Sequence, residues 1–316
     1  MIAFELSGKN LVRFAWWFML AVFPLTGVFA QDLAPRAYVI TPLHSNAIGV
    51  TTSVHQGGVD FNGTVPIPDA TGTFVTTAFS YYHSFSLLGR SANVTVFLPY
   101  GVGTFNGSVL GVKEEIYRSG LLDAGVRFSV NLSGGPAMAL PEFRKWKQRR
   151  LLGASLKVIA PTGQYGPTKL ISWGSNRWVF KPELGFSQRW DRWILDTYAG
   201  VWMFTTNREQ FSVPAPRPQT ENPVGSFESH LSYDVRPGLW VSLDGNFWFG
   251  GTASLDGEPQ PKTRQTASRI GGTASFPFSR HQSIKVSYSG AAFVTFGGDY
   301  RNLSVAWQYS WLGRPK

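Results

Sequence analysis

The sequence predicts an all-β chain: an antiparallel transmembrane β-barrel of about 12 strands, with long loops on one rim and short turns on the other. Three observations carry this expectation. Apolar and polar residues alternate with period two over long stretches, aromatic residues gather at the ends of those stretches, and the connections are mostly long and short by turns.

Composition narrows the class. The chain has 43% apolar and 15% charged residues, with 34 Gly, 12 Trp, 24 Phe and no Cys. Charged residues fall well short of the quarter or so expected in a soluble chain. Mean hydropathy is near zero, at −0.08, because alternation averages out, as it does in a barrel. A helical membrane protein would show several apolar runs of about twenty residues, and none follows residue 30. The absence of Cys is compatible with an oxidising periplasm and decides little. Net charge is +10, but the only dense basic run is Arg144-Lys145-Trp146-Lys147-Gln148-Arg149-Arg150, so no nucleic-acid partner is expected.

Residues 1–30 read as a secretory signal peptide. Lys9 and Arg13 precede an apolar stretch from Phe14 to Val28, and Val28-Phe29-Ala30 places small residues where signal peptidase accepts them. Cleavage after Ala30 leaves Gln31 first. An uncleaved anchor is the alternative, which Pro24 and Gly27 disfavour. Residues 31–45 read as a short periplasmic N-terminal segment, 46–312 as the barrel and 313–316 as a C-terminal tail.

The barrel expectation is strongest in one hairpin. In its first arm Trp178, Phe180, Pro182, Leu184, Phe186 and Trp190 share one face, and Arg177, Lys181, Glu183, Ser187 and Arg189 share the other. The second arm sets Trp193, Leu195, Val201 and Met203 against Asp196, Tyr198, Gly200 and Trp202. A two-residue turn at Asp191-Arg192 would pair Trp190 with Trp193, Phe186 with Thr197 and Phe180 with Met203. Both arms exceed the nine to eleven residues or so that a tilted transmembrane strand needs.

The other segments follow in order. Asn46 to Gln56, Thr73 to Leu88 and Ala92 to Tyr100 precede a fourth, Gly120 to Leu132, whose Leu122, Ala124, Val126 and Phe128 alternate with Asp123, Gly125, Arg127 and Ser129. Leu151 to Ala160 leads to the hairpin. Ser226 to Asp234, Leu239 to Phe249, Ser268 to Phe276, Ser283 to Thr295 and Leu303 to Trp311 complete the set. Gly101 to Ser119 reads as a glycine-rich loop, and Asn207 to Val224 and Gly250 to Thr266 also read as loops. Two connections break the long-short rule: Gly297-Gly298-Asp299 is short, and Gly134 to Arg150 is long. The latter is read either as an element touching the anionic inner leaflet or a partner, or as a solvated turn with Phe143 and Trp146 tucked against the barrel.

Inward faces carry Asp123, Arg127, Lys157, Lys181, Glu183, Asp196, Glu228, Asp244, Arg269 and Lys285, five basic and five acidic. A basic residue facing lipid near the midplane costs about 2–4 kcal/mol, so these must point inward. They are expected either to line a pore for small solutes or to fill the lumen as a paired network, since about 12 strands falls between filled and open barrels. Tyr82, Tyr198, Trp202, Trp240 and Trp248 also face inward, where aromatic solutes could stack. No cofactor or metal site is expected. A lipid hydrolase built on Glu228, His230 and Ser232 is disfavoured, because same-face neighbours on one strand stand about 7 Å apart. A soluble periplasmic β-protein is a third reading. The final strand, with Ser304, Ala306, Tyr309 and Trp311, resembles the C-terminal pattern recognised by barrel-assembly machinery; five residues, Leu312 to Lys316, follow it.

Several ordered motifs carry a family resemblance. Ala160-Pro161-Thr162-Gly163-Gln164-Tyr165, Asn176-Arg177-Trp178, Lys181-Pro182-Glu183-Leu184-Gly185, Gly250-Gly251, Asp256-Gly257, Arg269-Ile270-Gly271 and Val305-Ala306-Trp307-Gln308-Tyr309 are similar to outer-membrane proteins linked to the meta-pathway of phenol degradation. The resemblance covers almost the whole mature chain. It implies a transporter-like barrel in the bacterial outer membrane, embedded in outer-membrane lipid and taking up aromatic compounds.

Overall fold

Alternation makes strands, and the computed structural model closes them into a barrel. It describes residues 34–59, 67, 69–109 and 112–313. The expected signal peptide and the end of the tail lie outside the described residues. The strands are β1 (Ser45–Gly58), β2 (Thr71–Leu87), β3 (Arg90–Val109), β4 (Val112–Leu121), β5 (Gly125–Ser133), β6 (Arg150–Ile159), β7 (Val179–Trp190), β8 (Trp193–Phe204), β9 (Asn207–Gln210), β10 (Arg217–Glu221), β11 (Val224–Arg236), β12 (Leu239–Gly250), β13 (Ala253–Leu255), β14 (Glu258–Gln260), β15 (Gln265–Pro277), β16 (Gln282–Val294) and β17 (Tyr300–Leu312). One short helix, α1 (Leu140–Phe143), lies between β5 and β6.

Each barrel strand pairs antiparallel with the next in the order β1, β2, β3, β4 with β5, β6, β7, β8, β11, β12, β15, β16 and β17. Ser45 of β1 then meets Leu312 of β17, which closes twelve strand positions, β4 and β5 counting as one interrupted strand. β9, β10, β13 and β14 form a separate four-stranded sheet on the long-loop rim, within segments that read as loops from the sequence. No described helix is long and apolar enough to cross a membrane.

The hairpin register agrees with the sequence expectation: Trp190 faces Trp193, Phe186 faces Thr197 and Phe180 faces Met203. Asp191 takes φ 50° in the two-residue turn, a left-handed geometry that Asp tolerates better than most residues. Exposure confirms which face is which. Leu184 is 56% and Phe227 48% exposed on the outside, whereas Asp196, His230 and Ser232 are fully buried inside. An apolar outer wall and a polar interior invert the soluble pattern and match a lipid-embedded barrel. Leu184 sits at the middle of β7, so Leu184→Arg is expected to cost about 2–4 kcal/mol. Outer-membrane fractions should then contain little heat-modifiable protein; normal yield would contradict the assignment of the outer face.

Three differences from the sequence expectation have physical causes. The fourth strand is broken at Leu122-Asp123-Ala124. Tyr100 pairs with Leu121 but Phe97 pairs with Gly125, so β4–β5 carries one extra residue opposite Leu98-Pro99. Pro99 has no N–H to give the ladder and only accepts, from Leu122 N at 3.0 Å. The bulge reverses the alternation, and Leu122, expected to face lipid, borders the lumen cavity. Secondly, Gly101 to Ser119 is not a loop but the upper part of the β3–β4 hairpin, paired as far as Val109 and Val112. Its glycines leave room for rings: a side chain at Gly101 would meet Trp173, and one at Gly103 would overlap Phe74.

Thirdly, residues 34–44, expected as a periplasmic segment ahead of the barrel, lie inside it. Tyr38 and Ile40 are each 1% exposed. Inward-facing Gly153 of β6 and Gly185 of β7 are cross-strand partners, and a Cβ on either would overlap the Tyr38 ring. The missing side chains form a notch that the ring fills. Lower down, Ile40 joins Met138 and Leu151 in an apolar cluster against which Phe143 and Trp146 pack, as the tucked-turn reading of that connection expects.

Candidate functional site: the barrel lumen

The lumen has three levels, each built by the inward residues of the strands. At the short-turn end the N-terminal segment is held by polar contacts to the wall. Arg36 pairs with Asp234 at 2.7 Å and its guanidinium lies 4.3 Å from the Trp240 ring centre. Arg36 N donates to Asp196 Oδ2 at 3.3 Å, and Ala37 N donates to the Tyr198 hydroxyl at 3.0 Å. Tyr38 Oη shares a hydrogen bond with Ser155 and donates to Glu183 Oε1, both at 3.0 Å. Arg127 donates to Ala37 O at 3.3 Å, and Thr41 and Tyr82 share a 2.8 Å hydrogen bond.

Above it, one polar chain crosses the wall from β5 to β15. Arg127 stands 3.5 Å from Glu183, whose other oxygen is 2.6 Å from Lys181 Nζ. Lys181 also donates to Glu228 at 2.9 Å. Glu228 Oε2 is 3.6 Å from His230 Nε2, His230 Nδ1 is 2.9 Å from Asp244, and Thr273 donates to the second Asp244 oxygen at 2.6 Å. Such a buried chain is tolerable because nearly every charge in it has an opposite neighbour. Contrary to the sequence expectation, side chains two apart on one strand do meet, as Lys181 with Glu183 and Glu228 with His230, because flexible stems close a backbone spacing of about 7 Å. The hydrolase triad is nonetheless not assembled. His230 turns both nitrogens to carboxylates, and the Ser232 hydroxyl has no hydrogen-bond partner among the described residues.

The third level is a cavity of about 660 Å³ between this chain and the long-loop rim. Cations Arg127, Lys157 and Lys181 border it together with Phe97, Trp173 and Trp202. Lys157 Nζ lies 5.5 Å from the Trp202 ring centre and 5.7 Å from that of Phe97. Towards the loop rim Phe74, Phe105, Trp173, Val59 and Ile171 form an apolar cluster.

The ten charged residues expected inward therefore divide. Asp123, Arg127, Lys157, Lys181, Glu183 and Glu228 border the cavity. Asp123 does so from the strand break, where it accepts from Gly163 N and from the backbone and hydroxyl of Ser175, so it anchors a loop. Asp196 holds the N-terminal segment, Asp244 ends the polar chain, and Arg269 stacks 3.6 Å from the Tyr300 ring centre while donating to Ser289. Lys285 sits between Ser275 and Ala306 near the short-turn end. Of the five aromatic candidates, Tyr198 and Trp202 border the cavity, Tyr82 and Trp240 contact the N-terminal segment, and Trp248 packs with Val224 and Ala267 in the wall. Arg36, Tyr38, Phe74, Phe97 and Trp173 were not singled out from the sequence. For Phe74 and Phe97 the signal was the inward phase of β2 and β3; Trp173 lies in the connection between β6 and β7, and neither that connection nor segment 34–44 has a period to read. Among the described residues no group of three His, Cys, Asp or Glu side chains could hold a metal ion.

Residues 55–305 match the family model described as "Putative MetA-pathway of phenol degradation". The chain belongs to this family. The match spans the motifs on which the sequence resemblance rested from Ala160 to Gly271 and ends at Val305, the first residue of the last one. Two solved structures are similar to this phenol-degradation family barrel in fold. One is an outer membrane channel from Pseudomonas putida F1, with 17% identity and a TM-score of 0.73 over 89% of this chain and 100% of that one. The other is the β domain of the Bordetella autotransporter BrkA, with 13% identity and a TM-score of 0.50 over 85% of this chain and 100% of that one. No curated protein sequence matches the chain. The fold and the lipid-facing wall place this family member in the bacterial outer membrane.

Proposed function

We propose that the protein is an outer-membrane channel that takes up small aromatic solutes, with the cavity as their resting place and the N-terminal segment as the lower barrier. The observation that carries this reading is the lining. Several aromatic rings, Phe97, Trp173 and Trp202 among them, and three cations converge on a cavity of about 660 Å³, a size within the range that small-molecule sites occupy. Arg127, Lys157 and Lys181 share this lining with Trp202 and Phe97, so a weakly acidic group can meet a cation while its ring stacks on Trp202 or Phe97. Catalysis is not part of the proposal, since no nucleophile and base meet in the lumen's polar chain. The second reading, a structural or binding barrel that conducts nothing, is favoured by the docked segment at the short-turn end.

Planar-bilayer conductance of refolded protein from Gln31 onward separates the two. Discrete steps partly blocked by benzoate, with block weakened by Lys157→Ala, are expected of the channel. Silence from folded, inserted protein would favour the non-conducting barrel.

A further inference from the structure

The two rims differ in charge. Counting each short turn with the residue on either side, exposed basic side chains number nine. The β5–β6 connection supplies Arg144, Lys145, Lys147, Arg149 and Arg150, and every other turn supplies one: Arg90, Arg192, Arg236 or Arg280. Only Glu142 and Asp191 are exposed acids there. On the long-loop rim, in residues 59–70, 105–120, 160–178, 205–223, 251–264 and 295–301, exposed basic and acidic side chains are seven of each among the described residues. The protein's positive charge is thus concentrated at one end.

The ring of cations also sits at a definite depth. Leu88 is 96%, Phe278 57%, Trp190 52% and Trp193 47% exposed in the same turns. Exposed Trp and Phe at the end of a lipid-facing wall mark the boundary between acyl chains and headgroups. The densest basic run is fixed there rather than free, because Phe143 and Trp146 pack on the Ile40, Met138 and Leu151 cluster and Gln148 donates to Ser187 at 2.9 Å. Its basic side chains are left facing outward.

We propose that the short-turn rim is a docking surface for anionic phospholipid headgroups of the inner leaflet, phosphatidylglycerol being the class that fits. Short turns of such barrels face the periplasm, so this rim meets the phospholipid leaflet. Charge complementarity at headgroup depth supplies the attraction, and five separate turns distribute it around the circumference. The inference stands apart from the channel reading, since it concerns the outside of the barrel.

The test uses the whole protein in vesicles of equal phosphatidylglycerol and phosphatidylethanolamine, extracted gently, with the retained lipid quantified per barrel. Phosphatidylglycerol is expected to be enriched roughly threefold or more, and the enrichment should shrink at high salt. The Arg144→Ser, Lys145→Ser, Lys147→Ser, Arg149→Ser variant should fall towards the starting ratio while remaining heat-modifiable. Arg192→Ser, Arg236→Ser, Arg280→Ser provides a second variant if the first does not fold. Loop-rim changes Arg208→Ser and Arg217→Ser should leave the enrichment intact. No enrichment in the wild type, or enrichment unchanged in both rim variants, would overturn the proposal. So would binding to isolated peptidoglycan sacculi without lipid preference, which would assign the rim to a wall polymer.

Discussion

Gly185→Leu is expected to raise single-channel conductance several-fold. The Tyr38 ring lies where a side chain at Gly185 would be, so leucine and ring cannot both occupy the notch. The ring must leave, and with it the hydrogen bonds from Tyr38 Oη to Ser155 and Glu183. Removing a buried ring costs about 3–5 kcal/mol, which shifts the balance of docked and undocked segment by about a hundredfold or more. The barrel wall should tolerate the change, because the new side chain enters space that the departing ring vacates. Bilayer recordings of heat-modifiable Gly185→Leu protein would measure it, and deletion of residues 34–42 should give the same conductance. Wild-type conductance in both would mean that the segment is not the barrier.

Lys181→Met should be the most damaging single change in the polar chain. The ammonium lies 2.6 Å from Glu183 and 2.9 Å from Glu228, and all three side chains are buried. Methionine fills a similar volume but leaves two carboxylates without their shared cation. Breaking a buried pair in this way costs about 3–5 kcal/mol. Glu183 keeps Arg127 at 3.5 Å and the Tyr38 hydroxyl, so Glu228 bears most of the loss, with His230 at 3.6 Å as its remaining ionisable neighbour. The expected result is a large fall in refolding yield and in the temperature at which the folded band disappears on gels. Adding Glu183→Gln and Glu228→Gln to Lys181→Met should recover much of it, because amides carry no charge to be compensated. A Lys181→Met barrel as heat-resistant as wild type would show that the lumen is wetter than the burial implies.

Much of this architecture is legible in the sequence because a barrel wall is a period-two object. Once Asp191-Arg192 is taken as a two-residue turn, the pairing of Trp190, Phe186 and Phe180 with their partners is fixed, and the structure keeps it. Glu183, Glu228 and Asp244 could be placed inside for the same reason. The failures occur where the period stops carrying information. Pro99 interrupts the ladder without disturbing its own strand's alternation, so nothing in Gly120 to Leu132 announces that Leu122 turns inward beside Asp123. Segment 34–44 occupies the lumen through single contacts, an ion pair at Arg36 and a ring at Tyr38, rather than through a repeating face. Its receptor is written as two glycines, Gly153 and Gly185, on different strands. Glycine at an inward position also reads as a bulge or a bend, and only the pairing of those two strands identifies a notch.

The route by which the N-terminal segment leaves the lumen sets how it must behave. At His44 the chain passes into β1, with His44 N donating to Ser84 O at 3.1 Å and His44 O accepting from Gly313 N at 2.8 Å, so the crossing point is pinned where the last strand meets the first. From Ser45 back to Arg36 the chain can span at most about 30 Å. A released segment is therefore leashed within reach of its own notch, at a local concentration on the order of millimolar. Reclosure should follow first-order kinetics, independent of how many barrels share the membrane. A separate peptide of the same sequence, supplied at micromolar levels, would be a poor competitor for the seat.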